Sequence, residues 1–331
     1  MDLSGRPLSS TGRDADLYVG FSRQELRVVE AVGARLNVLV LAPRGGGKTS
    51  FLHHLSREMA GAVGWDPIYV DGRRADSTVD LLLDVWRQVT GRSSVLRADD
   101  RFAALDAAEV LTQLRQDVAA RPESAPKLVV LLDGTPTPEA VHTIFGKLRD
   151  EIWRIEVAWV VAGDSENRAM YLTPPADAFF GAVVDLPPLT DEEAMDLLRH
   201  RVTGPQRTLK RLVAASDRRP RSLIRLAGDV YVNGLDLGQA EERRKELESA
   251  IERLGRPAAM LVAEMAALGP VAAGDDRLLK RLGWTRPRVI QVLHQLEGEG
   301  LVESGMSQIT GGRPKKLYWL RQADERLIKK M

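Results

Sequence analysis

The chain has 331 residues, 44% of them hydrophobic and 28% charged, which is room for two or three globular domains and excludes a disordered polymer. It has no cysteine, which excludes a disulfide framework and cysteine metal sites and suits a reducing cytoplasm. No apolar stretch approaches the roughly 20 residues of a membrane span, so no membrane partner is expected. Net charge is +1, but residues 280–331 hold eleven Lys and Arg against five Asp and Glu, a local +6 that leaves −5 for residues 1–279 and points a polyanion to the C-terminal end.

The opening stretch, MDLSGRPLSSTGRDAD, is polar, lacks the apolar run of a signal peptide and reads as a loose leader, consistent with a cytoplasmic protein. In LYVGFSRQELRVVEAV (17–32) an apolar pair and a turn at Gly20 suggest a strand-like lead-in. Leu26, Val28, Val29 and Val32 then mark a helix. Val38–Leu41 is a short β-branched run of the kind that forms a buried parallel strand. After it come Ala42, Pro43, Arg44, three glycines (Gly45, Gly46, Gly47), Lys48, Thr49 and Ser50. Phe51, Leu52 and Leu55 follow at helical spacing.

A strand, a glycine turn and a helix in that order can hold phosphate. Glycines let backbone N–H groups curl around phosphate oxygens, and a helix N-terminus adds unpaired N–H groups and partial positive charge. Lys48 would place an ammonium at the β- and γ-phosphates, and the Thr49 hydroxyl is positioned to ligate Mg²⁺. The pattern G-x-x-x-x-G-K-[ST] is met at Gly47, Lys48 and Thr49, with Ala42 where the first glycine belongs.

Further along, PIYVDGRRADS (67–77) reads as a strand closed by Asp71-Gly72, with a helix over Val79–Val89, loop at 90–104 and a helix over about Ala107–Ala119. Leu128–Leu132 is a second buried strand, with Asp133 at its carboxyl end, where ligands sit in doubly wound sheets. An acidic residue there can hold Mg²⁺ as a Walker B aspartate does. VAWVVAGDSEN (157–167) and AVVDLP (182–187) supply two more strands, and Pro187-Pro188 makes a break. Thr190 and Glu193 form a capping box that opens a helix, and the chain reads as helical to about Leu254. Strands alternating with helices predict a parallel, doubly wound α/β sheet.

From 256 the pattern changes. Met260, Leu261, Met265 and Leu268 share one face of a helix, 275–284 is a second short helix, and 285–298 is a third. Thr285 is its N-cap, and Val289, Val292, Leu293 and Leu296 are its core face. A strand from Leu301-Val302, a turn and a strand over Leu317–Leu320 complete what resembles a winged helix-turn-helix with a two-stranded wing. The outward positions of the third helix include Arg286, Arg288, Gln291, His294 and Gln295, and Arg and Gln are the usual readers of guanine and adenine. The wing tip, GGRPKK (311–316), resembles part of an AT-hook without its leading arginine. Arg313, Lys315 and Lys316 suit phosphates or a narrow minor groove.

Taken in order, these pieces resemble AAA+ ATPases, and more narrowly the clade shared by replication-initiator ATPases of the origin-recognition type and STAND signalling ATPases. The carriers are LYVGFSRQEL, APRGGGKTS, VVLLDG, VVAGDSEN, LPPLTDEEA and SDRRPRSLIRLA (216–227). The resemblance implies a P-loop NTPase parallel sheet over residues 1–188, a helical lid over 189–254 and a winged helix-turn-helix over 255–331. It places Tyr18 and Val19 against adenine and Arg221 as the lid arginine that reaches the γ-phosphate. The family's Walker B glutamate is missing, because Gly134 follows Asp133. Losing a water-orienting group costs about 10²–10⁴-fold in rate, and no spacing selects Glu139 or Asp164 as a substitute. Arg149, Arg154 and Arg168 are candidates for an arginine finger.

The expectation is an ATP- and Mg²⁺-binding switch ATPase with slow hydrolysis. Lys48, Asp133 and Arg221 would serve turnover, and the C-terminal module would bind double-stranded DNA or join self-assembly. The alternative is a STAND-like signalling or defence switch whose winged helix meets a protein effector.

Overall fold

The computed structural model describes residues 1–91, 106–135, 137–234, 236–238, 249–307 and 315–320. The chain divides into two compact units. The first holds Met1–Pro205 with Asp217–Arg221, and the second holds Gln206–Ser216 with Ser222–Met331.

The first unit is built on five parallel strands: β1 (Val38–Ala42), β2 (Trp65–Val70), β3 (Lys127–Asp133), β4 (Val157–Asp164) and β5 (Ala182–Asp185). Their order in the sheet is β2-β3-β4-β1-β5. All five residues of β1 and six of the seven in β3 are buried. Burial on both faces is why these strands read as unbroken apolar runs rather than as alternation. The core on one side gathers Trp86, Trp159, Phe145 and Phe179 with the aliphatic residues of β3 and β4. The chain leaves β1 for one side of the sheet and returns through β5 on the other, so the order reverses between β1 and β4. The crevice outside the carboxyl ends of those strands is where such sheets bind ligands. Register puts Ala42 beside Asp164, and Asp133 beside Ala162, at that edge.

Two N-terminal expectations need correcting. The lead-in at 17–19 is not a strand. Leu17 and Tyr18 donate their N–H groups back to Asp14 and Ala15, closing turns after a short helix over Gly12–Ala15. Nor is the leader loose. Leu8 is buried and donates its N–H to Ser50 Oγ (3.0 Å). Asp14, 2% exposed, accepts a two-pronged bond from Arg6 (2.6 and 2.7 Å) and bonds from the Ser9 N–H and hydroxyl. The Arg6 hydrogen bond, opposed by partial desolvation, holds the Asp14 carboxyl well below its ordinary range. Its contribution to stability is therefore complete above the ordinary carboxyl range and is lost only as the pH falls below it. Asp14→Ala is expected to cost about 1 kcal/mol, because Arg6 can turn to water, and to expose the first sixteen residues to proteases. Limited proteolysis at neutral pH checks this; an unchanged cleavage pattern would mean that the clasp does not hold the segment.

The second unit begins with the helix Gln206–Ala214 and the later turns of the helix Pro220–Tyr231. Its C-terminal part is a three-helix core, Arg256–Leu268, Asp276–Leu282 and Arg286–Gly298, beside an antiparallel sheet. The strands of that sheet are β6 (Val271–Ala272), β7 (Val302–Ser307) and β8 (Lys315–Leu320), in the order β6-β8-β7. The sheet has three strands, not two: β6 is a two-residue strand, too short to leave a periodic signal. Met260 does not join the core face expected of it. The buried stripe of its helix is Ala258, Leu261, Val262 and Met265, and Met260 is 38% exposed. The third helix matches its predicted face: Val289, Val292, Leu293 and Leu296 are buried, and Thr285 occupies the N-cap position without a side-chain cap bond.

Candidate functional site

The loop after β1 is shaped by contacts as well as by dihedral freedom. Gly45 and Gly47 have φ of 80° and 98°, the left-handed region that glycine enters at no steric cost. Gly46 is required for another reason. A Cβ there would stand 2.9 Å from the Ala42 Cβ and 3.0 Å from the Pro43 carbonyl. The alanine in place of the first motif glycine is thus accommodated by a glycine four residues on. The helix Lys48–Gly61 starts immediately after, its N-terminus turned to the loop.

Lys48 Nζ donates to the carbonyls of Ala42 (2.7 Å) and Pro43 (3.1 Å) and to Asp164 Oδ1 (2.6 Å). Asp164 also faces Arg44 (Nε–Oδ2 3.6 Å). At the end of β3, Asp133 Oδ2 accepts three bonds, from Thr49 Oγ1 (2.7 Å), Tyr69 OH (2.9 Å) and Arg73 Nη2 (2.8 Å). The paired hydroxyl and carboxylate of Thr49 and Asp133 are hard oxygen donors, and they fit Mg²⁺, which keeps most of its water and takes one or two protein oxygens.

Arg221 opens the helix Pro220–Tyr231 beside the loop. Its N–H points to the Gly45 carbonyl (3.4 Å), and a Cβ on Gly45 would lie 3.2 Å from the Arg221 Cβ. Partial desolvation, then the charges of Arg73 and Arg44, lower the Arg221 pKa, so its guanidinium lies in a neighbourhood rich in positive charge. Ser50 keeps its hydroxyl engaged with the leader. Tyr18 stacks on His54 (centroids 3.9 Å apart) and donates its hydroxyl to Glu25 (2.9 Å). Burial and the Glu25 charge push its pKa above the ordinary range. Val19 is half-buried, followed by Gly20 and by Phe21 in the left-handed region. Phe21 donates its N–H to Glu193 (3.3 Å) and lies against Gly47, where an added Cβ would be 3.3 Å from its ring.

The fold therefore gathers Pro43, Arg44, Gly45, Gly46, Gly47, Lys48, Thr49, Asp133 and Arg221 at one edge of the sheet. Of the two spare carboxylates, Asp164 is in contact with Lys48, and Glu139 lies in the helical turn Pro138–Val141. Arg168 pairs with Asp185 (2.7 Å), and Arg149 pairs with Asp150 and lies over Trp153. Three side chains here carry no motif in the sequence: Tyr69, Asp71 and Arg73. Their signal is adjacency. β2 pairs with β3 up to Val70 beside Leu132, so the residues after Val70 arrive next to Asp133.

In the second unit, Arg286, Arg288, Gln291, His294 and Gln295 are all exposed on the third helix. Arg288 donates to Gln291 Oε1 (2.7 Å) and lies 5.9 Å over the Trp284 ring. Lys316 is exposed, 3.6 Å from Glu297 and 4.8 Å over the Tyr318 ring. Arg313 lies outside the described residues, as do residues 92–104 of the loop expected at 90–104; Thr90 is not loop but the last residue of the helix Thr78–Thr90. Among the described residues no helix is long and apolar enough to cross a membrane.

No protein-family model matches the sequence, and no curated protein matches it. Solved structures do. The ORC1 protein of Aeropyrum pernix, solved in complex with DNA, is 18% identical, with 96% of this chain and 94% of that one covered and a TM-score of 0.49. Cdc6p of Pyrobaculum aerophilum is also 18% identical, with 96% and 97% covered and a TM-score of 0.49. The Walker-type ATPase of Pyrococcus abyssi is 16% identical over 100% of both chains, with a TM-score of 0.52. This likeness shows that the chain has the α/β fold of that Walker-type ATPase.

Proposed function

We propose that this protein is an ATP-binding switch of the AAA+ type that turns over slowly and binds duplex DNA through its C-terminal module. The observation that carries the nucleotide reading is the conjunction at one sheet edge of the glycine loop, Lys48, the Thr49–Asp133 pair and Arg221. Backbone N–H groups of the loop and of the first helical turn would hold the phosphates, with Lys48 neutralising them. Thr49 and Asp133 would hold Mg²⁺, which when bound supplies further neutralisation of phosphate charge. Arg221 would sense the terminal phosphate. It opens a helix whose later turns belong to the second unit, which supports a link between nucleotide state and the DNA-binding module or self-assembly.

Slow turnover follows from Gly134. It sits at φ 81°, and a Cβ there would lie 2.8 Å from Arg73 Cγ. The sequence has no glutamate there, and the backbone at this position is unsuited to one. The purified protein alone is expected to release phosphate well under the about 1–10³ s⁻¹ of ordinary enzymes. Gly134→Glu is expected not to raise that rate. Steady phosphate release at ordinary enzyme rates would show that another group, with Asp164 first in line, fully replaces the missing base.

The DNA reading rests on the exposed Arg286, Arg288 and Gln291 and on the basic wing, and salt-dependent binding to a labelled duplex tests it. A protein-facing winged helix, as in STAND switches, is favoured by one observation: Glu297, Glu299 and Glu303 lie on the same module, and Glu297 faces Lys316.

A further inference from the structure

Arg73 stands beside Asp133 and Thr49, the pair that would hold the metal ion. It arrives there by construction. Gly72 meets the end of β3 so closely that a Cβ on it would be 2.3 Å from the Gly134 carbonyl oxygen, which presses the backbone after β2 against that after β3. The stem of Arg73 then runs over Gly134, filling the space where a side chain at 134 would begin. The guanidinium is held at both ends, with Nε on Asp71 Oδ1 (2.8 Å) and Nη2 on Asp133 Oδ2 (2.8 Å). Thr49 Oγ1 donates to that same oxygen, so guanidinium and hydroxyl are neighbours. Yet half of the Arg73 side chain is exposed, so it has room to move.

We infer that Arg73 is a phosphate-contacting arginine supplied in cis, passing from Asp133 to the terminal phosphate of a bound nucleoside triphosphate. The inference rests on the nucleotide site proposed above. Its logic is charge. Thr49 and Asp133 would hold a divalent cation, and with the carboxylate so neutralised the guanidinium beside it would lose its reason to stay on Asp133. The oxygens of the terminal phosphate are the nearest negative charge a bound triphosphate adds, and a planar fork suits them. Asp71, still bonded to Nε, steers the movement. The same arrangement gives the glycine after Asp133 a use: it leaves the space through which an arginine from the turn after the neighbouring strand reaches the site.

The test is the preference for ATP over ADP, read by competition against a fluorescent nucleotide with Mg²⁺ present. The wild type is expected to prefer ATP. Arg73→Ala and Arg73→Gln should each lose at least about tenfold of that preference while ADP affinity holds, since ADP lacks the phosphate that Arg73 meets. Arg73→Lys, which keeps the charge beside Asp133, should lose several-fold, because an ammonium has no fork; where the neutral variants do not fold, this variant decides. Preference unchanged from the wild type, equal loss of ATP and ADP affinity, or a wild type with no preference would each overturn the role of Arg73. A wild type that binds neither nucleotide would sink the nucleotide site itself, a separate outcome.

Discussion

Lys48→Ala is expected to remove ATP binding from a protein that stays folded. The ammonium is the one cation rooted in the first turn of the glycine loop's own helix, and it bonds carbonyls on both residues that lead into the loop. When phosphate is present, the same group meets the β- and γ-oxygens. Charge-assisted bonds of this kind are worth about 1.5–3 kcal/mol each, so removing two weakens binding by about a hundredfold or more. The fold should survive because the partners left behind are not stranded. Asp164 retains Arg44, and the Ala42 and Pro43 carbonyls belong to a loop that already faces the crevice. Equilibrium binding of a fluorescent ATP analogue, with a thermal melt of the same sample, separates the two effects. Undiminished affinity in a folded variant would rule out the phosphate cradle.

What the sequence made legible was whatever depends on local order. The glycine loop is one such feature, since strand, turn and helix succeed one another within about 20 residues and each leaves its own period. The capping box at Thr190 and Glu193 is another, and both of its bonds form. The core face of the third helix is a third. What stayed hidden depends on which strands become neighbours. Arg73 lies 60 residues from Asp133 along the chain, and only the pairing of β2 with β3 brings them together. The clasp of the N-terminal segment was hidden for a related reason. Arg6 and Asp14 look like solvated charges until Leu8 and Ser50, 42 residues apart, pin the segment down. Ala42 reads in the sequence only as a departure from the motif, because the compensating contact with Gly46 is a matter of angstroms, not of spacing.

Duplex binding, if the C-terminal module reads DNA, is expected to fall and to become less salt-dependent when its basic side chains are removed. Each phosphate contact taken away should flatten the slope of log K against log[salt] by about 0.9. Arg313, Lys315 and Lys316 replaced together by Ala should therefore weaken binding and shallow the slope in one step. Arg286 and Arg288 stand on the exposed face of the third helix, and Arg288 is already braced by Gln291 and the Trp284 ring. That bracing fixes the direction of its fork, as base readout needs, so Arg288→Ala should change sequence preference more than slope. Lys316 behaves differently. It is 3.6 Å from Glu297, and a phosphate must displace that carboxylate to claim it. Lys316→Ala alone should then shift the slope by less than about 0.9, and Glu297→Gln should tighten duplex binding by freeing the ammonium. Fluorescence anisotropy on a labelled duplex at several salt concentrations, with and without ATP, reads all of these. No duplex binding by the wild type at low salt in either state would give the module to a protein partner, and Glu297→Gln would then leave DNA untouched.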